Sequence, residues 1–180
     1  MKEKFGEGRP STTDSDAVKI KGEVIMKDDR LIAREKLEEA RKNYEMGKYN
    51  NAVAYCSQAL QFVRFGSDKD ITKEIFYLLG LAHLELGTSY NEWDLNDGIL
   101  ACKYFDKVIA MDSNCVEAYL SRGLAIVKWG NSGIYMANYD KAIADFDKVL
   151  ELESDNEQAR KYREHCYEQL SKREENEIDD

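Results

Sequence analysis

The sequence predicts an all-α protein built as an array of three helix hairpins with a C-terminal capping helix, and three observations carry that expectation. The residue supply suits helices: 43% hydrophobic and 34% charged residues stand beside one proline and eleven glycines, and Ala, Leu, Glu and Lys are good helix formers. Apolar residues recur at spacings of three and four from Asp29 onward, the stripe of a helix with one buried face. A phrase also recurs: FDKVIAMDSN starts at Phe105 and FDKVLELESDN at Phe146, forty-one residues later. A helix end repeated at that distance marks a two-helix unit used again.

Residues 1–28 read as a flexible leader, because GEGRPSTTDSD is polar and rich in breakers and buries too little apolar surface to offset its ordering entropy. Within it, AVKIKGEVIM alternates Val18 and Ile20 with lysines and then clusters Val24, Ile25 and Met26, the pattern of a short extended segment that lies on a surface. A helix follows from Asp29, with acids at its start, Leu37, Ala40 and Tyr44 on one face, and Gly47 as its stop. Asn50 is the expected cap of the next helix, which carries Ala52, Cys56, Ala59 and Leu60 on one stripe and ends by Gly66. The linker between them is short enough to demand an antiparallel hairpin. ITKEIFYLLGLAHLELG and VEAYLSRGLAIVKWG are the first helices of two further units, and DGILACKYFDKVIAMDS and NYDKAIADFDKVLELES are their second helices. The units span about 29–66, 70–113 and 115–154, with a capping helix and acidic tail over 155–180.

A net charge of −9 with no basic cluster disfavours polyphosphate and anionic membranes, so neither nucleic acid nor membrane is expected as a partner. No apolar run approaches the length of a membrane span. The first residues lack the apolar core of a secretory signal, and a cytoplasmic location is expected. Cys56, Cys102, Cys115 and Cys166 are scattered and, with His83 and His165, form no metal-ligand spacing; they read as small apolar filler in a reducing compartment. No GxSxG, Walker A, GxGxxG or HExxH motif occurs. DLNDG is no calcium loop, since Phe105 stands where a closing glutamate is required. His83 falls at a core position and His165 on an exposed face of the capping helix. No catalytic residue, metal or cofactor is expected, and the chain is not read as an enzyme.

Phe76, Leu79, Gly80, Ala101 and Phe105 in the second unit, and Tyr119, Gly123, Ala142 and Phe146 in the third, resemble the tetratricopeptide-repeat (TPR) signature. The first unit is similar through Ala40, Gly47, Tyr49, Ala52, Cys56 and Ala59, while Arg64, Ser113 and Ser154 replace the usual proline. The resemblance implies a right-handed superhelical solenoid in which Gly80 and Gly123 let helix backbones approach and Phe105 and Phe146 fill space toward the next unit. The small first-helix residue and the second-helix alanine are 12 residues apart from Ala40 to Ala52, 21 from Gly80 to Ala101 and 19 from Gly123 to Ala142. Insertions therefore fall near 88–98 and 131–140, where Tyr90, Trp93, Leu95, Ile134, Tyr135 and Met136 either form an apolar ledge or pack on their own helices.

In such arrays the first helices line a concave groove. The resemblance implies groove positions at Arg34, Leu37, Arg41 and Tyr44; at Glu74, Tyr77, Leu81, Leu84 and Glu85; and at Glu117, Leu120, Leu124, Val127 and Lys128. The expected peptide-binding residues are Leu37, Arg41, Tyr44, Tyr77, Leu81, Leu84, Leu120, Leu124 and Val127. An apolar groove needs a cover: a partner's peptide, the chain's own AVKIKGEVIM, a second copy meeting it through the groove or N-terminal segment, or the solenoid's own curvature. The positions that clamp acidic Hsp90 and Hsp70 tails in related arrays are Leu37, Arg41, Leu78, Glu117 and Ser121 here, with Arg41 alone cationic, so such tails are not the expected ligand. The expected function is that of an adaptor or scaffold holding a partner's peptide segment. The alternative is a small acidic chaperone for one client, similar to type III secretion translocator chaperones, against which the long insertions count.

Overall fold

The structure is a computed structural model that describes residues 14–63, 68–89, 95–130 and 138–178. Seven helices occur among them: α1 (Asp14–Glu45), α2 (Tyr49–Leu60), α3 (Lys69–Ser89), α4 (Leu95–Met111), α5 (Val116–Gly130), α6 (Tyr139–Leu152) and α7 (Glu157–Ile178). No strand occurs among the described residues, and no helix is long and apolar enough there to cross a membrane. Each helix packs on the next in sequence; α1, α3, α5 and α7 also touch one another in order, whereas α2, α4 and α6 do not. The odd-numbered helices thus form the closer-packed layer, which is the inner side of a curved solenoid.

The first turn is built by Gly47 at φ 72°, a conformation open to glycine at little cost. The Lys48 amide donates to the Asn43 carbonyl at 2.8 Å and the Gly47 amide to Tyr44 at 2.9 Å, closing α1 with a Schellman motif. The chain re-enters a helix at once, so Lys48, without a side-chain cap bond, precedes α2, and Asn50, expected as the cap, lies inside the helix. Asn138 and Asn156 do cap their helices: their Oδ1 atoms accept from Lys141 N at 3.0 Å and Ala159 N at 2.9 Å. Gly66 and Arg64 lie outside the described residues.

Two glycines in the first helices of units two and three make room for an aromatic ring. A Cβ at Gly80 would stand 2.6 Å from Phe105 Cε1, and one at Gly123 would stand 2.7 Å from Phe146 Cε1. The missing side chain seats the aromatic ring of the same hairpin's second helix, so Phe105 and Phe146 pack first against their own unit and only then toward the next. Both rings are fully buried. His83 is also buried; its Nδ1 lies 2.6 Å from Asp97 Oδ1 and its ring stacks on Tyr104 at 5.5 Å, the satisfied histidine that a core position requires. His165, expected exposed, is half-buried because α7 packs against α6. All four cysteines are free, two of them buried, and burial pushes the Cys56 thiol up to about 12.

The N-terminal expectation needs correction. Helix α1 begins at Asp14, so AVKIKGEVIM is helical rather than extended, and the acids at 28 and 29 do not start a helix. No proline interrupts 14–45, and elongating a helix already nucleated by packing costs far less than starting one. The insertions are partly absorbed into helix ends, since α3 runs to Ser89 and α4 starts at Leu95. The proposed ledge residues Tyr90, Trp93, Ile134, Tyr135 and Met136, and the side chain of Leu95, lie outside what the structure describes.

Candidate peptide-binding face

The inner face is assembled one helix at a time, and electrostatic contacts hold the first helices side by side. Arg41 of α1 pairs with Glu74 of α3 and lies 3.7 Å from Glu38. Arg30 Nε reaches Asp68 Oδ1 at 3.4 Å. Between α3 and α5, the Tyr77 hydroxyl lies 3.5 Å from Ser121 Oγ. An open cleft of about 330 Å³ runs between α1 and α3, and Arg34, Arg41, Asp70 and Glu74 are among its lining. The unit-one end of the face therefore carries charged side chains around Leu37 and Ile71.

The nine expected binding residues divide into two groups. Leu37, Leu84 and Val127 are 4%, 5% and 3% exposed, and each belongs to a core cluster. Leu84 and Val127 stand four residues after Gly80 and Gly123, so helical geometry puts them on the stripe that faces the second helix. Leu37 packs with Ile71 and Ile75 across the first inter-unit boundary. These three are core residues. Arg41, Tyr44, Tyr77, Leu81, Leu120 and Leu124 are half-buried, which leaves part of each side chain in contact with solvent on the first-helix layer. Burial chiefly pushes Tyr44 up to about 12, with Glu85 and the hydroxyls of Tyr49 and Tyr77 adding to it. Tyr77 is raised by burial first and by Glu117 and Cys115, while its bond to Ser121 opposes the shift.

Sequence reasoning missed the buried charge beside this face. Arg122 of α5 donates to Asp145 of α6 through Nε at 2.9 Å and Nη2 at 2.5 Å, and through Nη1 to Asp106 of α4. Asp145 is 2% exposed. Burial works to lower the pKa of Arg122, but its bonds to Asp145 and Asp106 and their charges outweigh it and raise the group above its usual value. A signal was present. Arg163 and Asp147 repeat Arg122 and Asp106 after forty-one residues, and they form the same bond, at 2.7 Å. Helix α7 therefore has the register of a fourth first helix. Glu164 occupies its glycine position and is exposed, so a charged side chain stands where the ring of a further second helix would need space. Among the described residues no three His, Cys, Asp or Glu side chains group to hold a metal ion.

The backbone arrangement has close counterparts among solved structures. The TPR domain of Arabidopsis OM64 superposes with a TM-score of 0.59 at 22% identity, covering 78% of this chain and 98% of that one. The C-terminal TPR-containing domain of a putative FK506-binding protein of Plasmodium falciparum gives 0.60 at 22% identity, covering 83% and 95%. The first TPR of Spaghetti (RPAP3), bound to the HSP90 peptide SRMEEVD, gives 0.60 at 18% identity, covering 79% and 95%. No family model matches the chain, and no curated protein does. Hairpin order, the glycine-seated rings and these superpositions agree that this chain has the tetratricopeptide-repeat fold.

Proposed function

We propose that the chain is a protein-interaction module that holds a peptide segment of a partner protein against the face formed by α1, α3 and α5. The observation that carries this reading is the run of half-buried apolar and aromatic side chains on successive first helices: Tyr44, then Tyr77 and Leu81, then Leu120 and Leu124. Such residues give up solvent contact at roughly 25 cal/mol per Å² when a ligand covers them, and their spacing along neighbouring helices suits anchors on one peptide. The Spaghetti domain, of similar fold, holds an HSP90 peptide. A terminal carboxylate is not the handle for this chain. Of the five positions that would clamp it, Leu37, Leu78 and Ser121 are buried, Glu117 is an acid, and Arg41 is already paired with Glu74.

The test is a double substitution, Leu81→Ser with Leu124→Ser, set beside the wild type. Peptides selected on the full chain from a random library are measured by fluorescence anisotropy on both proteins, with circular dichroism showing equal helicity. Loss of two anchors is expected to weaken binding by about tenfold or more. Equal affinity would move the binding surface off this face.

A further inference from the structure

Helix α1 is longer than the unit it belongs to. It runs for 32 residues and its hairpin partner α2 for 12, which at the helical rise is about 48 Å against about 18 Å. The chain enters α3 at Asp68, 3.4 Å from Arg30, and α3 then follows α1 past Arg41, which pairs with Glu74. Both neighbours thus accompany the second half of α1, and residues 14–29 lie ahead of them.

That first half has an apolar stripe of its own. Ala17, Val24 and Leu31 recur every seven residues, and so do Val18, Ile25 and Ile32, which makes two adjacent columns along one side of a helix. The core-facing residues Ala33, Leu37 and Ala40 fall on a different side, since Ala33 is about 200° round the helix from Leu31. Leu31 is accordingly 57% exposed, so the stripe is not the face that packs into the solenoid. Two polar residues interrupt it: Lys21 and Asp28 lie midway between the columns, seven residues apart and opposite in sign.

The interruption selects an occupant. An antiparallel second copy, with its two-fold axis between Val24 and Ile25, sets Lys21 against Asp28 twice, Val18 against Leu31 and Ala17 against Ile32. A parallel copy would instead set Lys21 against Lys21 and Asp28 against Asp28. Residues 14–32 hold four basic and five acidic residues, whereas the whole chain carries −9, so two copies meet here with little of the repulsion that the rest of the surface imposes. We propose that the N-terminal half of α1 is a self-association helix, pairing antiparallel with the same helix of a second copy across a two-fold interface, apart from the peptide-binding face.

The full chain is followed by sedimentation equilibrium over a range of concentrations, beside Ile25→Asp, Lys21→Glu, and Lys21→Glu with Asp28→Lys, with circular dichroism showing each folded. Wild type should pass from monomer to dimer as concentration rises, and Ile25→Asp should stay monomeric. Lys21→Glu puts like charges together twice and should weaken the dimer about tenfold or more; adding Asp28→Lys should restore it. A wild-type chain that is monomeric throughout overturns the proposal. A dimer that holds equally in wild type and in the single and double charge variants overturns the antiparallel pairing. A dimer kept by Ile25→Asp but lost on Leu81→Ser with Leu124→Ser runs through the inner face and overturns the proposal as well.

Discussion

Gly80, Gly123 and Gly47 are small for different reasons, and the same substitution separates them. Alanine at Gly80 or Gly123 drives a Cβ into a fully buried ring at 2.6 or 2.7 Å. Overpacking of this kind costs about 1–3 kcal/mol, more than the gain of about 1 kcal/mol from replacing glycine inside a helix. Alanine at Gly47 meets nothing within 4 Å but inherits φ 72°, a backbone cost of about 1–2 kcal/mol. Urea denaturation should show all three variants destabilised. Asparagine should rescue position 47, since it tolerates the left-handed region, and should make positions 80 and 123 worse. Equal behaviour at the three positions would contradict the ring-seat account. The glycines themselves were legible in the sequence; what each one makes room for was not, because a spacing pattern does not say whether ring or backbone fills the gap.

Between elements, the bond from Arg122 to Asp106 recurs as Arg163 to Asp147, but Arg122 also holds a buried second partner, and the two arginines should matter very differently. Arg122 is 13% exposed and faces Asp145 at 3%, whereas Arg163 and Asp147 are 35% and 50% exposed. Arg122→Met leaves a buried carboxylate without its partner, a loss of about 3–5 kcal/mol. Arg163→Met removes a solvent-screened pair, a change of about 1 kcal/mol or less. Pairing Arg122→Met with Asp145→Leu should recover most of the loss, which chemical denaturation of the three variants beside the wild type would measure. A second clip, Lys73 Nζ to Asp112 Oδ2 at 2.8 Å, ties the start of α3 to the end of α4. The Lys73 bond foremost, helped by the Asn114 amide, lowers the Asp112 pKa. A carboxylate lowered in the folded state contributes stability above its unfolded pKa of about 3.9 and loses it as pH falls through the folded value. NMR titration should therefore place the Asp112 midpoint below the ordinary aspartate value, and Lys73→Met should raise it. An unchanged midpoint would mean that the clip is absent in solution. Neither contact follows from helix periodicity, which orders residues along one helix but does not set its rotation against the next.

At the scale of the whole molecule, stability passes from each hairpin to its neighbour. Helix α7 covers the last one: Tyr162 stacks on Phe146 at 6.0 Å, and Ala159 and Cys166 complete that core cluster. Ending the chain at 154 should expose the Phe146 face, lower the melting temperature and raise dye binding to apolar surface, as thermal circular dichroism and ANS fluorescence would report. A truncated chain that melts like the full one would show α7 to be dispensable. Its outer face gives no seat to a further helix, since Glu164 stands where α3 and α5 have glycine.

Hairpin number, helix type and the small-residue and aromatic positions were determined by the sequence itself, because helical period and repeated spacing are local properties of the chain. The inner face was legible only in part. Tyr44, Tyr77, Leu81, Leu120 and Leu124 are half-buried on the first helices, while Leu37, Leu84 and Val127 turn into the core. The tertiary structure alone decided that division, and it alone joined Arg122 to Asp145. Which side of a helix meets water depends on how neighbouring helices are rotated and spaced, and that is settled by side chains distant in sequence packing together.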